Sequence, residues 1–196
     1  MCAWGQRSCK LPGAALLAPG GAVFPGQVTS GTFPGVPAGP LITSRFSITT
    51  TAGTTTGTLV SAVYKKGGTL DFYYQVSNDP ASALSLRAIE ATSFADYRTC
   101  VGFRTDGSSL SGFQNGGNSP VTASSSSPPP AAGFEISFQF YPPTEPPAEI
   151  APGMTSLVLI ISTNATRFDN MGAAIVLDDA AGATVSGYEP VALNAY

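Results

Sequence analysis

The sequence predicts an all-β chain: a β-sandwich or jelly-roll-like fold of about eight to ten antiparallel strands with long Gly/Pro/Ser-rich loops. Three observations lead there. Several short segments alternate apolar and polar residues with period two, the mark of strands with one buried face. Gly (22) and Pro (17) punctuate the chain at short intervals. Charged residues make up only 11% while hydrophobic residues make up 43%, too apolar for a solvated coil. At 196 residues the chain fits one domain that buries roughly 70% of its unfolded surface.

Residues 1–40 read as an extended Gly/Pro-rich N-terminal arm, with "FPG" at 24–26 and again at 33–35. Residues 41–196 then form a single β-sandwich domain. Its first strand is "LITSRFSI", with Ile42, Ser44, Phe46 and Ile48 on one parity. The Thr-rich stretch "TTTAGTTTGT" follows as an exposed strand or loop.

"TLVSAVYKKGGTLDFYYQVSN", residues 58–78, reads as a hairpin. Gly67-Gly68 supplies the positive φ values of a tight turn, and Lys65-Lys66 keeps its tip wet. Leu70, Phe72, Tyr74 and Val76 share the inward parity. Asp71, Tyr73, Gln75 and Ser77 share the other, which leaves Tyr73 as the one ring outside. Asn78-Asp79-Pro80 ends the strand.

"ALSLRAIEATSF" balances a helix against a strand with a bulge near Ala88, and the alternation of Leu84 and Leu86 favours the strand. Residues 106–132 form a low-complexity surface loop with one short strand at Val121-Thr122. "GFEISFQFY" sends Phe134, Ile136, Phe138 and Phe140 inward. "SLVLIIST" is apolar on both parities, as befits a central strand covered on both faces. "GAAIVLDD" and "ATVSGYEP" close the chain as two short strands around the Asp179-to-Gly182 turn.

Several functions fall away. No histidine is present, which removes the commonest general base and the Ser-His-Asp triad. Net charge is −3 and basic residues are scattered, so no footprint for nucleic acid exists. No apolar window is long enough for a transmembrane helix. Cys2, Cys9 and Cys100 lack C-x-x-C spacing. Cys100 reads as a small buried residue, and Cys2 and Cys9 are close enough in sequence to bridge in an exported protein. Arg7 and Lys10 before "LPGAALLAPGGAVF" imitate a signal peptide, but Pro and Gly interrupt the apolar run. That points to a misplaced start or a fragment.

The candidate sites are few. Paired carboxylates would serve a glycosidase, but no spacing brings two together, and no catalytic residue is assigned. Calcium is the one cofactor with candidate ligands: Asp178 and Asp179 ahead of Gly182, or Asp169-Asn170. Turn geometry explains the same residues. A carbohydrate surface would use Tyr73 with Gln75 and Asp71, and secondarily Tyr141 or Trp4. Asn164-Ala165-Thr166 fits an N-glycosylation sequon and equally a strand-ending turn.

Three segments in order, "GTTTGTLVSAVYKKGGTLDFYYQVSND", "SFADYRTCVGFRTDG" and "LIISTNATRFDNMGAAIVLDDAAGATVSGYEP", resemble exported β-rich bacterial proteins of the PEP-CTERM sorting-domain type. The likeness spans about residues 50–190 and carries no catalytic signature. "GYEPVALNAY" lacks the Pro-Glu-Pro motif, apolar helix and basic tail of that group. The resemblance implies an extracellular or cell-surface protein. The expected function is therefore a non-enzymatic surface or matrix module with a structural or interaction role, with a carbohydrate-binding module as the alternative. Expected partners are a surface glycan, or a second copy through strand addition by the N-terminal arm.

Overall fold

The computed structural model describes residues 9, 11–28, 35–94, 97–106, 110–125, 136–141, 149–178 and 181–191. Two sheets face each other across one core. The first gathers β1 (Ala15–Leu17), β3 (Gly26–Gln27), β4 (Val36–Pro37), β5 (Ile42–Thr50), β6 (Gly53–Lys66), β7 (Thr69–Asn78), β9 (Thr99–Arg104) and β12 (Val158–Thr163). The second gathers β2 (Ala22–Val23), β8 (Ala88–Ala91), β10 (Thr122–Ser125), β11 (Ile136–Gln139), β13 (Phe168–Leu177) and β14 (Gly182–Pro190). Pairing is antiparallel except for β3, which runs parallel to β9. The sandwich-like all-β class read from the sequence is the observed one, and β5 to β14 supply ten strands beyond the arm.

The β6–β7 hairpin is the longest ladder, paired from Gly57 with Asn78 to Lys66 with Thr69. Gly67 (φ 57°) and Gly68 (φ 89°) turn it, both in the left-handed region that side chains resist. The Thr-rich stretch becomes the β5–β6 hairpin, and its Thr55 is buried rather than exposed. "ALSLRAIEATSF" holds β8, a short strand between β11 and β13, where a helix would have left one edge of each neighbour unpaired.

Between the sheets lie Phe46, Ile48, Leu59, Val63, Phe72, Tyr74, Val76, Ile89, Phe138, Leu159, Ile161 and Val176 among others. The inward parities of β5, β7 and β11 supply them as alternation required, although Phe134 and Glu135 lie outside the described residues. Polar contacts fasten one side of the sandwich. The Tyr188 amide donates to Ser61 Oγ (3.1 Å), the Tyr188 hydroxyl to the Pro40 carbonyl (2.6 Å), and the Tyr74 hydroxyl to the Tyr188 carbonyl (2.5 Å).

The N-terminal segment fastens the other side. β1 adds to β9 of the first sheet, β2 adds to β10 of the second, and β3 returns to β9. The crossing is tight: a Cβ on Gly26 would stand 1.6 Å from the Gly13 carbonyl oxygen, so only glycine fits. β4 pairs with the far end of β6. These described arm strands all find partners within their own chain.

Candidate functional site

The first sheet has a second buried face. Alternation sends three transverse rows of side chains outward, away from the main core. The row nearest the hairpin tip is Tyr64, Asp71, Ser162 and Cys100. The middle row is Ala62, Tyr73, Ile160 and Gly102. The third is Val60, Gln75, Val158 and Arg104. Leu11 and Val28 of the N-terminal segment and Leu110 and Phe113 of the following loop pack over these rows as a second apolar cluster.

This overturns the reading of Tyr73, Gln75 and Asp71 as an exposed sugar platform. Tyr73 is 0%, Gln75 2% and Asp71 3% exposed. The physical reason is the cover: β7 lies beside β12, whose two faces are both apolar, and the segments that shield β12 shield its neighbour too. Tyr73 meets Tyr64 edge-on at 4.9 Å and Phe113 at 6.5 Å between ring centroids. Gln75 is a clamp for the covering loop. Its Nε2 donates to the carbonyls of Gln114 (3.1 Å) and Ser156 (2.9 Å), and its Oε1 accepts from the Gln114 amide (2.8 Å).

Arg104, which composition and spacing did not single out, is the largest fully buried side chain of this face. Asp106 grips it in a fork, Nε to Oδ1 at 2.9 Å and Nη2 to Oδ2 at 2.8 Å. Those hydrogen bonds raise the arginine's pKa against the opposing effect of burial. The Tyr73 hydroxyl faces the guanidinium without a hydrogen bond of normal geometry. Burial, reinforced by the charge of Asp71, pushes the Tyr73 pKa far up, only partly countered by Arg104. A sequence signal existed: Arg104 shares the parity of Cys100 and Gly102 in "TCVGFR", a strand too apolar to leave a cation in water.

Cys9 and Cys100 form a disulfide (Cα–Cα 5.9 Å). Cys100 is thus a bridged residue rather than merely a small buried one, and Cys9 pairs across 91 positions, not with Cys2, which lies outside the described residues. The bond pins the start of the N-terminal segment to β9, two residues before Leu11 enters the second cluster.

Beside it opens a cleft of about 150 Å³ lined by Leu11, Lys66, Gly67, Thr69, Asp71 and Ser162. A smaller hollow of about 40 Å³, lined by Arg98, Cys100, Ser162, Thr163 and Asn164, shares Ser162 with it. Asp71 and Ser162 sit opposite each other in the β7–β12 ladder and form the floor.

The other candidates lie apart. Asp178 is buried in a turn, its Oδ1 accepting from the Ala181 amide (2.9 Å), while Asp179 lies outside the described residues. No group of three or more His, Cys, Asp or Glu that could hold a metal occurs among the described residues. Tyr141 is 44% exposed, with the Arg87 guanidinium 5.7 Å from its ring centroid and Glu149 bonded to that arginine at 2.8 Å. Trp4 lies outside the described residues. Asn164 is exposed and accepts from the Arg98 amide, as in a strand-ending turn. No helix among the described residues is long and apolar enough to cross a membrane. Comparison of the chain with protein-family models, curated proteins and solved structures finds no match.

Proposed function

We propose that this chain is an exported, non-enzymatic β-sandwich module with a structural or interaction role at the cell surface or in an extracellular matrix. The observation that carries the proposal is the Cys9–Cys100 disulfide, which ties the N-terminal segment across the sandwich. Such bonds form and persist where thiols are kept oxidised, outside the reducing cytosol. The absence of histidine and the low charge support a role without acid–base chemistry. The resemblance to PEP-CTERM-type exported proteins supports the same location.

The test is thiol trapping in the producing cell. Alkylation before lysis, followed by mass spectrometry, should leave Cys9 and Cys100 unmodified and linked in one peptide pair, in the envelope or extracellular fraction. Alkylated Cys9 in freshly trapped protein would contradict export. Turnover of glycan, ester or peptide substrates by purified protein would contradict the non-enzymatic role.

A further inference from the structure

We infer that the N-terminal segment is an exchangeable clip, and that the partner it fits is a second copy of this chain. Cys9 and residues 11–28 of one molecule then take, on the other, the place they occupy here. The Cys9–Cys100 bond joins the two chains. The inference deepens the interaction role proposed above and rests on its oxidising location.

The segment is a unit in itself. The Ala14 amide donates to the Leu11 carbonyl (3.1 Å) and the Gly21 amide to the Ala18 carbonyl (2.9 Å). Gly13 and Gly26 approach so closely that neither admits a Cβ. Its ladder partners among the described residues are β9 and β10, one edge strand's place in each sheet. Further bonds run to the same two strands. The Val28 amide donates to the Phe103 carbonyl (2.8 Å), and the Ser125 amide and hydroxyl donate to the Gly21 and Ala18 carbonyls (3.0 and 2.8 Å). Every copy of the chain carries these two edges, so exchange keeps each contact and changes only which molecule supplies it.

The connection distinguishes the two arrangements. β3 lies beyond β9 and β4 lies beyond β6, at opposite sides of the first sheet. Five strand spacings separate them, about 24 Å. Gln27 is level with Ser61 across the ladders, whereas Val36 pairs with Lys65 further along β6. The direct span is therefore about 27 Å. A flexible chain of the nine steps from Gln27 to Val36 has a root-mean-square reach of about 15–18 Å. The span exceeds that reach, which lowers the effective concentration of the segment at its own site. A second copy whose edges stand nearer competes with it, and short connections of this kind promote exchange.

The disulfide makes an exchanged pair permanent. Cys9 precedes β1 and Cys100 lies in β9, so the bond between molecules has the local geometry of the bond within one (Cα–Cα 5.9 Å). In forming it, two thiols give two protons and two electrons to a small-molecule disulfide, which leaves as two thiols. Reciprocal exchange closes a dimer that carries two such bonds.

The test mixes equal amounts of unlabelled and heavy-isotope-labelled full chain, both carrying Cys2→Ser to remove the third thiol. The mixture is unfolded and reduced in urea, then returned to glutathione redox buffer at about 1 mM chain and separated by size. A dimer with β-type circular dichroism should form. Mass spectrometry of its Cys9–Cys100 peptide pairs should find about half with one labelled and one unlabelled partner, as random reciprocal pairing requires. Refolding at about a hundredfold lower concentration should give monomer with unmixed pairs. Inserting about twelve Gly/Ser residues after Ser30 brings the reach up to the span and should lower the dimer fraction at least about threefold. Monomer alone at the higher concentration, a dimer with only unmixed pairs, or a dimer fraction unmoved by the insertion would each overturn the inference. Cys9 and Cys100 are linked in either arrangement, so failure here leaves the thiol-trapping result, and the role it supports, untouched.

Discussion

The Tyr73 ring stands edge-on to the Tyr64 ring of the neighbouring strand, centroids 4.9 Å apart, and both are buried. This contact sits on the face of the first sheet that points away from the main core. It therefore marks a second apolar layer, built between the sheet and the segments wrapped over it. Three predictions concern that layer and the bond that tethers it, and a fourth concerns the buried tyrosines of both layers.

Tyr73→Ala should destabilise the fold by about 3–5 kcal/mol, the usual cost of deleting a buried aromatic ring. Tyr73→Phe should change stability by less than about 1 kcal/mol, because the hydroxyl makes no hydrogen bond of normal geometry. Urea denaturation of the two variants checks the difference. A mild Tyr73→Ala would mean that the ring contributes little packing.

Arg104 and Asp106 should respond unequally. Asp106→Ala strips the bidentate partner from a wholly buried guanidinium and should cost about 3 kcal/mol or more. Arg104→Met keeps most of the buried volume and leaves a carboxylate that is 31% exposed and can hydrate. Its cost should stay below about 2 kcal/mol. Midpoints from parallel chemical denaturation give the order, and the reverse order would refute the account.

Removing the Cys9–Cys100 bond should cost about 4 kcal/mol, since it closes a 91-residue separation and restricts the unfolded chain. Cys9→Ser in oxidising buffer and the native chain in dithiothreitol should show the same reduced urea midpoint. Proteolysis should begin at the N-terminal segment before the sheets open, because Leu11 loses its tether while β5 to β14 keep their ladders.

Alkaline pH should unfold the protein sharply. Burial raises the pKa values of Tyr73, Tyr74, Tyr64 and Tyr188 above the ordinary 10.0. The folded state therefore holds these phenols protonated, and the unfolded state releases their protons near 10. The stability is full below pH 10 and is lost as pH rises beyond it. In a Tyr141→Phe background, which removes the exposed ring, most of the tyrosinate absorbance should rise together with loss of the β signal. Tyrosinate growing smoothly ahead of unfolding would show that these rings are accessible.

Much of the sandwich was legible in particular residues. Alternation in "TLDFYYQV" and "FEISFQF" separates an inward from an outward parity without reference to any partner. Gly67-Gly68 marks a turn because few other residues tolerate both φ values. "SLVLIIST" announced a strand covered twice, and β12 is buried along its whole length. The error over Tyr73 came from treating each strand alone. Its outward parity looked polar because Asp71 and Gln75 flank it, yet β7 is a ladder neighbour of β12 and shares its cover.

The sequence by itself determined the period-two pattern, the turns and the class of fold, because these rest on backbone geometry and residues a few positions apart. Tertiary structure alone decided which strands are neighbours, that residues 11–28 lace both sheets, and that Cys9 meets Cys100. It also placed Asp71 and Ser162 together on the floor of a cleft. Those relationships join residues roughly 90 positions apart, and long-range pairing follows from the packing of whole faces, which no local pattern of residues encodes.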